Sequence, residues 1–289
     1  MRLSSFLQSG YLDQPFGFVM GNPVEHSLSP ELHNFAARRH DLDWTYYKVE
    51  VSPDELEEAT SLFHQKHFIG ANVTIPFKRA VMPHLDMIKK SAQEANAVNT
   101  VVKKAGIITG YNTDGHGFSQ PLLQYADMLK HGTALIFGSG GACGAIVYSL
   151  FHYFSVEKIF VVTRKPESFS NESDLIRFIS YSDVSGVFSS ADIIINSTPL
   201  GMGDYQDQSP LDTELLPETT SKICYDIIYT PLYTKFLKDC RQHGAIVING
   251  LPMFIHQASK AFELWTGKEF PVKEAENLIL NKLKVTGED

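Results

Sequence analysis

Near the middle of the chain an apolar run ends in a cluster of glycines, and this junction restricts the fold more than any other stretch. Thr133-Ala134-Leu135-Ile136-Phe137 leads directly into Gly138-Ser139-Gly140-Gly141-Ala142-Cys143-Gly144, and an apolar helical pattern continues through Phe151. Strand, glycine turn and helix in that order suit a parallel α/β layer. The glycines permit the tight turn and let backbone N–H groups approach a pyrophosphate. The sixth position of the turn is Cys143 rather than Gly or Ala, a change that bears on helix packing more than on phosphate binding.

The strands that follow agree with this reading. Lys158-Ile159-Phe160-Val161-Val162, Asp192-Ile193-Ile194-Ile195-Asn196, Ile223-Cys224-Tyr225-Asp226-Ile227-Ile228 and Ala245-Ile246-Val247-Ile248-Asn249-Gly250 are nearly continuous apolar runs. Such runs belong to strands buried on both faces, so the spacing predicts a parallel, doubly wound sheet. Its ligands belong beyond the C-terminal ends of the strands, which carry Gly138, Arg164, Asn196 and Gly250. After the second strand a carboxylate would suit the free ribose hydroxyls of NAD. The sequence places Thr163-Arg164-Lys165 there instead, which favours the 2′-phosphate of NADP.

The first 115 residues read differently. Phe16-Gly17-Phe18-Val19-Met20, Trp44-Thr45-Tyr46-Tyr47-Lys48-Val49 and Phe68-Ile69-Gly70-Ala71-Asn72-Val73 are β-type runs. Between them lie two helix starts: Ser29-Pro30, with Ser29 expected as the capping residue, and Ser52-Pro53-Asp54-Glu55. Two hydroxyls, Ser27 and Ser29, at a helix N-terminus can hold a carboxylate, or Ser29 can serve as a cap alone. The third strand stops before Pro76 and delivers Lys78, expected at a strand-to-helix junction. Ala97-Val98-Asn99-Thr100-Val101-Val102 and Ile107-Ile108-Thr109-Gly110-Tyr111 form a hairpin across Lys103-Lys104-Ala105-Gly106. Asn112-Thr113-Asp114 then opens a helix, and Asp114 is the carboxylate best placed to share a site with Lys78.

A length of 289 residues suits about two domains, and 43% hydrophobic residues suffice for a sizeable core. A net charge of −8 without a basic block argues against a nucleic-acid partner. Residues 1–20 lack an apolar signal core, and no apolar run is long enough for a membrane span. Cys143, Cys224 and Cys240 have no metal-binding spacing, and His64 and His67 lack further ligands nearby. The composition thus leads us to expect a cytoplasmic protein with no metal, no nucleic acid and no membrane partner; a small-molecule substrate and a monomer or homodimer are the further expectations.

Several motifs in one order carry a family resemblance over nearly the whole chain. They are His26-Ser27-Leu28-Ser29-Pro30, Asn72-Val73-Thr74-Ile75-Pro76-Phe77-Lys78, Ala97-Val98-Asn99-Thr100, Gly110-Tyr111-Asn112-Thr113-Asp114, Gly138-Ser139-Gly140-Gly141-Ala142, Asn196-Ser197-Thr198-Pro199-Leu200-Gly201-Met202, Tyr225-Asp226-Ile227-Ile228-Tyr229-Thr230-Pro231, and the run from Gly250 to Gln257. The chain resembles the shikimate dehydrogenases. That resemblance implies an α/β fold with an N-terminal substrate domain, residues 1–115 joined by the C-terminal helices 251–289. A Rossmann-type NADP domain would occupy residues 116–250.

The implied activity is the reversible reduction of 3-dehydroshikimate by NADPH to shikimate. Ser27 and Ser29 would hold the substrate carboxylate. Thr74, Asn99, Asp114 and Gln257 would hold its hydroxyls, with Lys78 at the reacting oxygen and Tyr229 near the cleft. Lys78 and Asp114 would be the catalytic pair. Gly138, Ser139, Gly140, Gly141, Ala142, Thr163, Arg164, Lys165, Ile227 and Gly250 would meet the cofactor. Three positions depart from the family's pattern: Asn96 replaces a usual Gly, Thr163 a usual Asn, and Ser168 a usual basic residue. A quinate/shikimate dehydrogenase of broader specificity and a non-catalytic NADP-binding sensor are the rival readings.

Overall fold

The computed structural model describes residues 1–169 and 173–286, with side chains through 284. Residues 170–172 and 287–289, which the sequence assigns to the cofactor domain and the C-terminal helices, lie outside the described residues. The chain forms two compact units. One comprises Met1–Gly117 and Ile255–Leu280; the other comprises Phe118–Phe254 and the segment from Asn281 onward.

The first unit holds a six-stranded mixed sheet. Its strands are β1 (Phe16–Gly21), β2 (Thr45–Glu50), β3 (Phe68–Val73), β4 (Met87–Ile88), β5 (Thr100–Lys104) and β6 (Ile107–Tyr111), in the order β2-β1-β3-β5-β6-β4. β1 pairs in parallel with both β2 and β3, because helical segments cross between them: Ser29–Arg39 on one side, Pro53–His64 on the other. The second crossover starts in a capping box, with the Ser52 N–H and hydroxyl both donating to Glu55. β5 and β6 form the expected hairpin, but the strands run further and the turn is only Ala105-Gly106. Both turn residues are left-handed, with φ of 49° and 83°, as a two-residue hairpin of matching twist requires.

Phe16, Phe18, Phe63, Phe68 and Phe77 bury together and form much of this unit's core. The helix Leu251–Thr266 adds a second aromatic cluster. Its Trp265 donates from the indole to the Val101 carbonyl at 3.0 Å and lies over Gly70, where an added Cβ would stand 2.2 Å from the indole nitrogen. Glycine in β3 is therefore what lets the indole seat.

Tyr46 and Trp265 also enclose His33, whose ring centroid lies 4.6 and 4.8 Å from theirs. His33 is fully buried and neither ring nitrogen has a hydrogen-bond partner. Burial disfavours the imidazolium and brings its pKa down to about 3. Between pH 6.5 and about 3 the unfolded chain binds a proton here that the folded chain refuses, so stability falls as the pH drops through that window. Replacing His33 by Phe is expected to flatten the acid side of the stability curve. The slope should decrease by up to one proton, about 1.4 kcal/mol per pH unit, in urea denaturation at pH 7, 6 and 5.

The second unit is the doubly wound sheet that the apolar runs predict. Its strands are β7 (Thr133–Phe137), β8 (Lys158–Val162), β9 (Ile176–Ile179), β10 (Ile193–Asn196), β11 (Ile223–Asp226) and β12 (Ile246–Ile248). All pairings are parallel and the order is β12-β11-β10-β7-β8-β9. Apolar clusters bury both faces, one including Ile136, Ile146 and Tyr225, the other Leu135, Phe160 and Phe236. The order reverses between β7 and β10, and the crevice of such a sheet opens at that switch point.

Candidate functional site

The lysine turn begins where β3 ends. Pro76 lacks an N–H, and the segment Thr74–Val81 runs as turns rather than entering a helix. This corrects the expected strand-to-helix junction at Lys78. Phe77 sinks into the core, and the Lys78 carbonyl accepts from the Val98 N–H at 2.7 Å. Backbone on both sides of the lysine is thereby fixed. Thr74 shares this turn; its N–H donates to the Met20 carbonyl at 2.9 Å, and its side chain lies half-buried against Gly21.

Lys78 Nζ donates to Asp114 Oδ2 at 2.6 Å. The two side chains are only 15% and 9% exposed, so the pair is largely withdrawn from water. Breaking one partner of such a pair leaves the other charge uncompensated. Asp114 opens the helix Asp114–Ser119, and the Asn112 side chain accepts its N–H at 3.0 Å. Its other oxygen accepts from Asn99 Nδ2 at 2.7 Å. Asn99 in turn accepts from the Thr113 N–H at 2.7 Å and from the Thr100 hydroxyl at 3.0 Å.

Behind Asn99 stands Asn72, on β3. Its amide donates to the Asn99 carbonyl and to Thr100 Oγ1, each at 3.1 Å, while its oxygen accepts from the Tyr46 hydroxyl at 2.6 Å. Asn72 therefore holds the neighbours of the lysine–aspartate pair, and its own polar atoms are engaged. Thr100 lies within the motif Ala97-Val98-Asn99-Thr100, whereas Tyr46 carries no motif signal and reads only as one of several strand aromatics. Removing the Tyr46 hydroxyl by Tyr46→Phe leaves the buried Asn72 oxygen unpaired. The expected loss is about 1–3 kcal/mol of unfolding free energy, read by chemical denaturation.

Ser27 and Ser29 form a separate cluster in the same unit. The Ser27 hydroxyl donates to Ser29 Oγ at 3.1 Å and accepts the Ser29 N–H at 3.3 Å. Ser29 is the first helical residue rather than the capping one, and Leu28 flanks the helix without a side-chain cap. The Ser27 hydroxyl serves the backbone N–H of the first helical residue itself. Ser29 is thus freed from capping and stays beside Ser27. Gln257 is half-buried on the helix Leu251–Thr266. Asn96, where the family usually has Gly, ends the helix Lys90–Ala95 in a left-handed conformation with φ of 48°. Asn tolerates that region best after Gly, so the turn keeps its shape.

In the second unit the glycine turn sits at the switch point. Gly138 has φ of 101°, and a Cβ there would stand 2.9 Å from Ser197 Oγ. The Ser197 hydroxyl donates to the Phe137 carbonyl at 2.8 Å and joins the ends of β10 and β7. Nothing lies within 4 Å of where a Gly140 side chain would begin, so the backbone is open to a ligand. Ser139, Gly141 and Ala142 complete the turn, and the helix Cys143–Phe154 begins without a side-chain cap. Its first N–H, on Cys143, donates to the Gly140 carbonyl at 3.0 Å, and no side-chain cap competes with an anion for the end of the helix. Cys143 is buried, and that burial pushes its thiol up to about 12, so the sixth position supplies neutral packing.

Thr163 follows β8, and its hydroxyl lies 3.0 Å from that of Ser139. Arg164 and Lys165 are exposed one step further on. β7 and β8 are neighbours in register, Phe137 opposite Val162, so cations and glycine turn share one edge. An open backbone, an uncapped helix start and two cations with no carboxylate at the end of β8 fit a dinucleotide phosphorylated at the ribose 2′ position.

Gly250 donates its N–H to the Ile228 carbonyl at 2.9 Å, and a Cβ on it would stand 2.1 Å from the Ile227 carbonyl oxygen. Tyr229 stacks on Phe254 with ring centroids 4.4 Å apart. Direct bonds thus join Lys78, Asp114 and Asn99 in one cluster and Ser27 to Ser29 in another. Ile227, Tyr229 and Gly250 lie in the other unit.

The sheet order and glycine turn define a dinucleotide-binding α/β protein with a separate polar site built on a lysine–aspartate pair. The shikimate dehydrogenase substrate binding domain matches residues 19–101, and the shikimate 5′-dehydrogenase C-terminal domain matches residues 250–280. A shikimate dehydrogenase (NADP(+)) of Salinibacter ruber is 36% identical over 264 residues, covering 88% of this chain and 92% of its own. The crystal structure of shikimate 5-dehydrogenase from Thermus thermophilus, in complex with NADP(H) and shikimate, is similar at a TM-score of 0.80 and 33% identity, over 92% of this chain and 98% of its own. A quinate dehydrogenase from Corynebacterium glutamicum in complex with NAD is similar at a TM-score of 0.82 and 27% identity, over 92% of this chain and 98% of its own. The chain belongs to the shikimate dehydrogenase family.

Proposed function

We propose that the protein catalyses the reversible, NADPH-dependent reduction of 3-dehydroshikimate to shikimate. The observation that carries this reading furthest is the 2.6 Å pair of Lys78 and Asp114, held by Asn99 in a chain of this family. The first unit, Met1–Gly117 with Ile255–Leu280, is the substrate unit, and Phe118–Phe254 is the cofactor unit. Ser27 and Ser29 take the substrate carboxylate. Thr74, Asn99, Asp114 and Gln257 take its hydroxyls, with Tyr229 near the cleft. Gly138 to Ala142 receive the pyrophosphate, Thr163, Arg164 and Lys165 the 2′-phosphate, and Ile227 and Gly250 the nicotinamide end.

The bound cofactor supplies a hydride for the carbonyl carbon. Negative charge then grows on the carbonyl oxygen, and the Lys78 ammonium stabilises it and donates its proton there. Asp114 keeps the ammonium aimed through Oδ2 and, once the oxygen is a hydroxyl, orients that hydroxyl. In the oxidation direction the neutral amine of Lys78 takes the hydroxyl proton back. Lys78→Ala is expected to lower kcat by about 10²–10⁴ with the fold intact. Nicotinamide absorbance on adding 3-dehydroshikimate reads this directly, and near-normal turnover sinks the assignment.

The cofactor preference follows from charge. Arg164→Ala is expected to raise the KM for NADPH by about 10- to 100-fold, the loss of one charge-assisted phosphate contact. The KM for NADH should change little. Equal changes with both cofactors would remove Arg164 from the 2′-phosphate.

The likeness to a quinate dehydrogenase favours one second reading, a shikimate/quinate enzyme of broader specificity. Steady-state oxidation of shikimate and quinate with NADP and NAD separates the two. A sensor without activity would bind NADP and oxidise neither; the intact Lys78–Asp114 pair speaks against it. Among the described residues no helix is long and apolar enough to cross a membrane. Cys143, Cys224 and Cys240 all carry free thiols, which suits the cytoplasm. A monomer or homodimer completes this reading.

A further inference from the structure

The proton chemistry leaves one buried carboxylate unused. Asp226 ends β11 wholly out of solvent. Burial pushes its carboxyl up to about 6, against three hydrogen-bond donors that favour the charged form. Oδ2 accepts from the Thr234 hydroxyl at 2.7 Å and from the Asn196 amide at 3.1 Å; Oδ1 accepts from the Ile228 N–H at 3.0 Å. Keeping a carboxylate in such a place is costly, and these hydrogen bonds offset the cost only while their geometry holds.

Each donor leads to a different segment at the crevice edge of the sheet. Asn196 closes β10, and its orientation is locked: Nδ2 also donates to the Leu200 carbonyl at 2.9 Å, while Oδ1 accepts the Thr198 N–H at 3.0 Å and hydroxyl at 2.6 Å. Ile228 lies in the segment after β11, and its carbonyl accepts the Gly250 N–H at 2.9 Å, past the end of β12. The Ile227 N–H meanwhile donates to the Asn196 carbonyl at 3.1 Å. Thr234 caps the helix Lys235–Gln242. One carboxylate therefore ties together the exits of β10, β11 and β12.

A sheet of this order divides into two mononucleotide-binding halves. The glycine turn and the two cations belong to β7 and β8, so that half takes the phosphorylated adenosine and β10 to β12 are left for the nicotinamide nucleotide. We propose that Asp226 is a positioning residue for the nicotinamide half of the dinucleotide site. Through Asn196, Ile228 and Thr234 it sets the Ile227 carbonyl and Gly250, and none of its own hydrogen bonds goes to the glycine turn or the two cations. This role rests on the NADP reading above.

The test compares a whole ligand with a fragment of it. NADPH and 2′,5′-ADP are titrated into wild-type protein, Asp226→Asn and Thr234→Val, with steady-state kinetics on each. In Asp226→Asn an amide turns a donor toward two other donors. The expected result is an NADPH Kd about tenfold weaker and a lower kcat, with the 2′,5′-ADP Kd unchanged within about twofold. Thr234→Val removes a single donor and should move NADPH in the same direction by about threefold. It provides the readout if Asp226→Asn fails to fold. Unchanged NADPH binding and kcat in a folded variant, even with a lower Tm, overturn the role and leave Asp226 a loop staple. Equal weakening of both ligands overturns it as well. Wild-type protein that binds neither ligand overturns the NADP reading itself, and the positioning role with it.

Discussion

The side-chain amide of Asn99 is the constraint on which the polar half of the first unit depends. It bonds Asp114 through its nitrogen and the Thr113 backbone through its oxygen, so its orientation is fixed from both ends. A buried amide tolerates one arrangement only when each of its groups is satisfied. With Asn99 fixed, one oxygen of Asp114 is committed and the other is left to meet Lys78. The lysine therefore gains a single partner in a single geometry, and the surrounding hydroxyls and amides do not compete for the ammonium. Tyr46 and Asn72 extend the same logic into the sheet, where β2 and β3 cannot shift without breaking a hydrogen bond.

Much of this architecture is legible in the residues. Parallel strands buried on both faces must be apolar along their whole length, so β7, β8, β10, β11 and β12 stand out as runs. The glycine turn is legible because its backbone conformation excludes most side chains. The Lys78–Asp114 pairing is half legible: each residue closes a β-type stretch, but 36 residues separate them. What remains hidden is mostly contact between distant segments. Tyr46 reads as one of several strand aromatics, and only the folded sheet places its hydroxyl on Asn72. The helix start at Ser29 misleads for a local reason, since the Ser27 hydroxyl takes the Ser29 N–H and the helix begins one residue earlier than a Ser29 cap implies. Short elements such as β4, two residues long, carry no period at all.

The second unit shows how a departure from a family pattern can be absorbed. Thr163 is shorter than the usual Asn, yet its hydroxyl reaches Ser139 in the glycine turn. The loop bearing Arg164 and the glycine turn are thus connected by one side-chain contact. Cys143 meets the same test at the sixth turn position: a small, buried and neutral side chain preserves helix-on-sheet packing without adding charge at the turn.

The seat of Trp265 over Gly70 bears on the order in which a ribosome-bound chain can fold. The aromatic cluster around His33 takes its largest ring from a residue some 160 positions beyond the hairpin carbonyl that ring bonds, |i−j| being 164. During synthesis the strands β1 to β6 emerge early, with Gly70 bare and the Val101 carbonyl lacking its indole donor. They wait while all six strands of the doubly wound sheet, which lie within one continuous segment, leave the exit tunnel. Only when the helix Leu251–Thr266 appears can the aromatic cluster around His33 close. The part of the chain made first is thus finished last. In the interval its open aromatic pocket is the surface that chaperones would find.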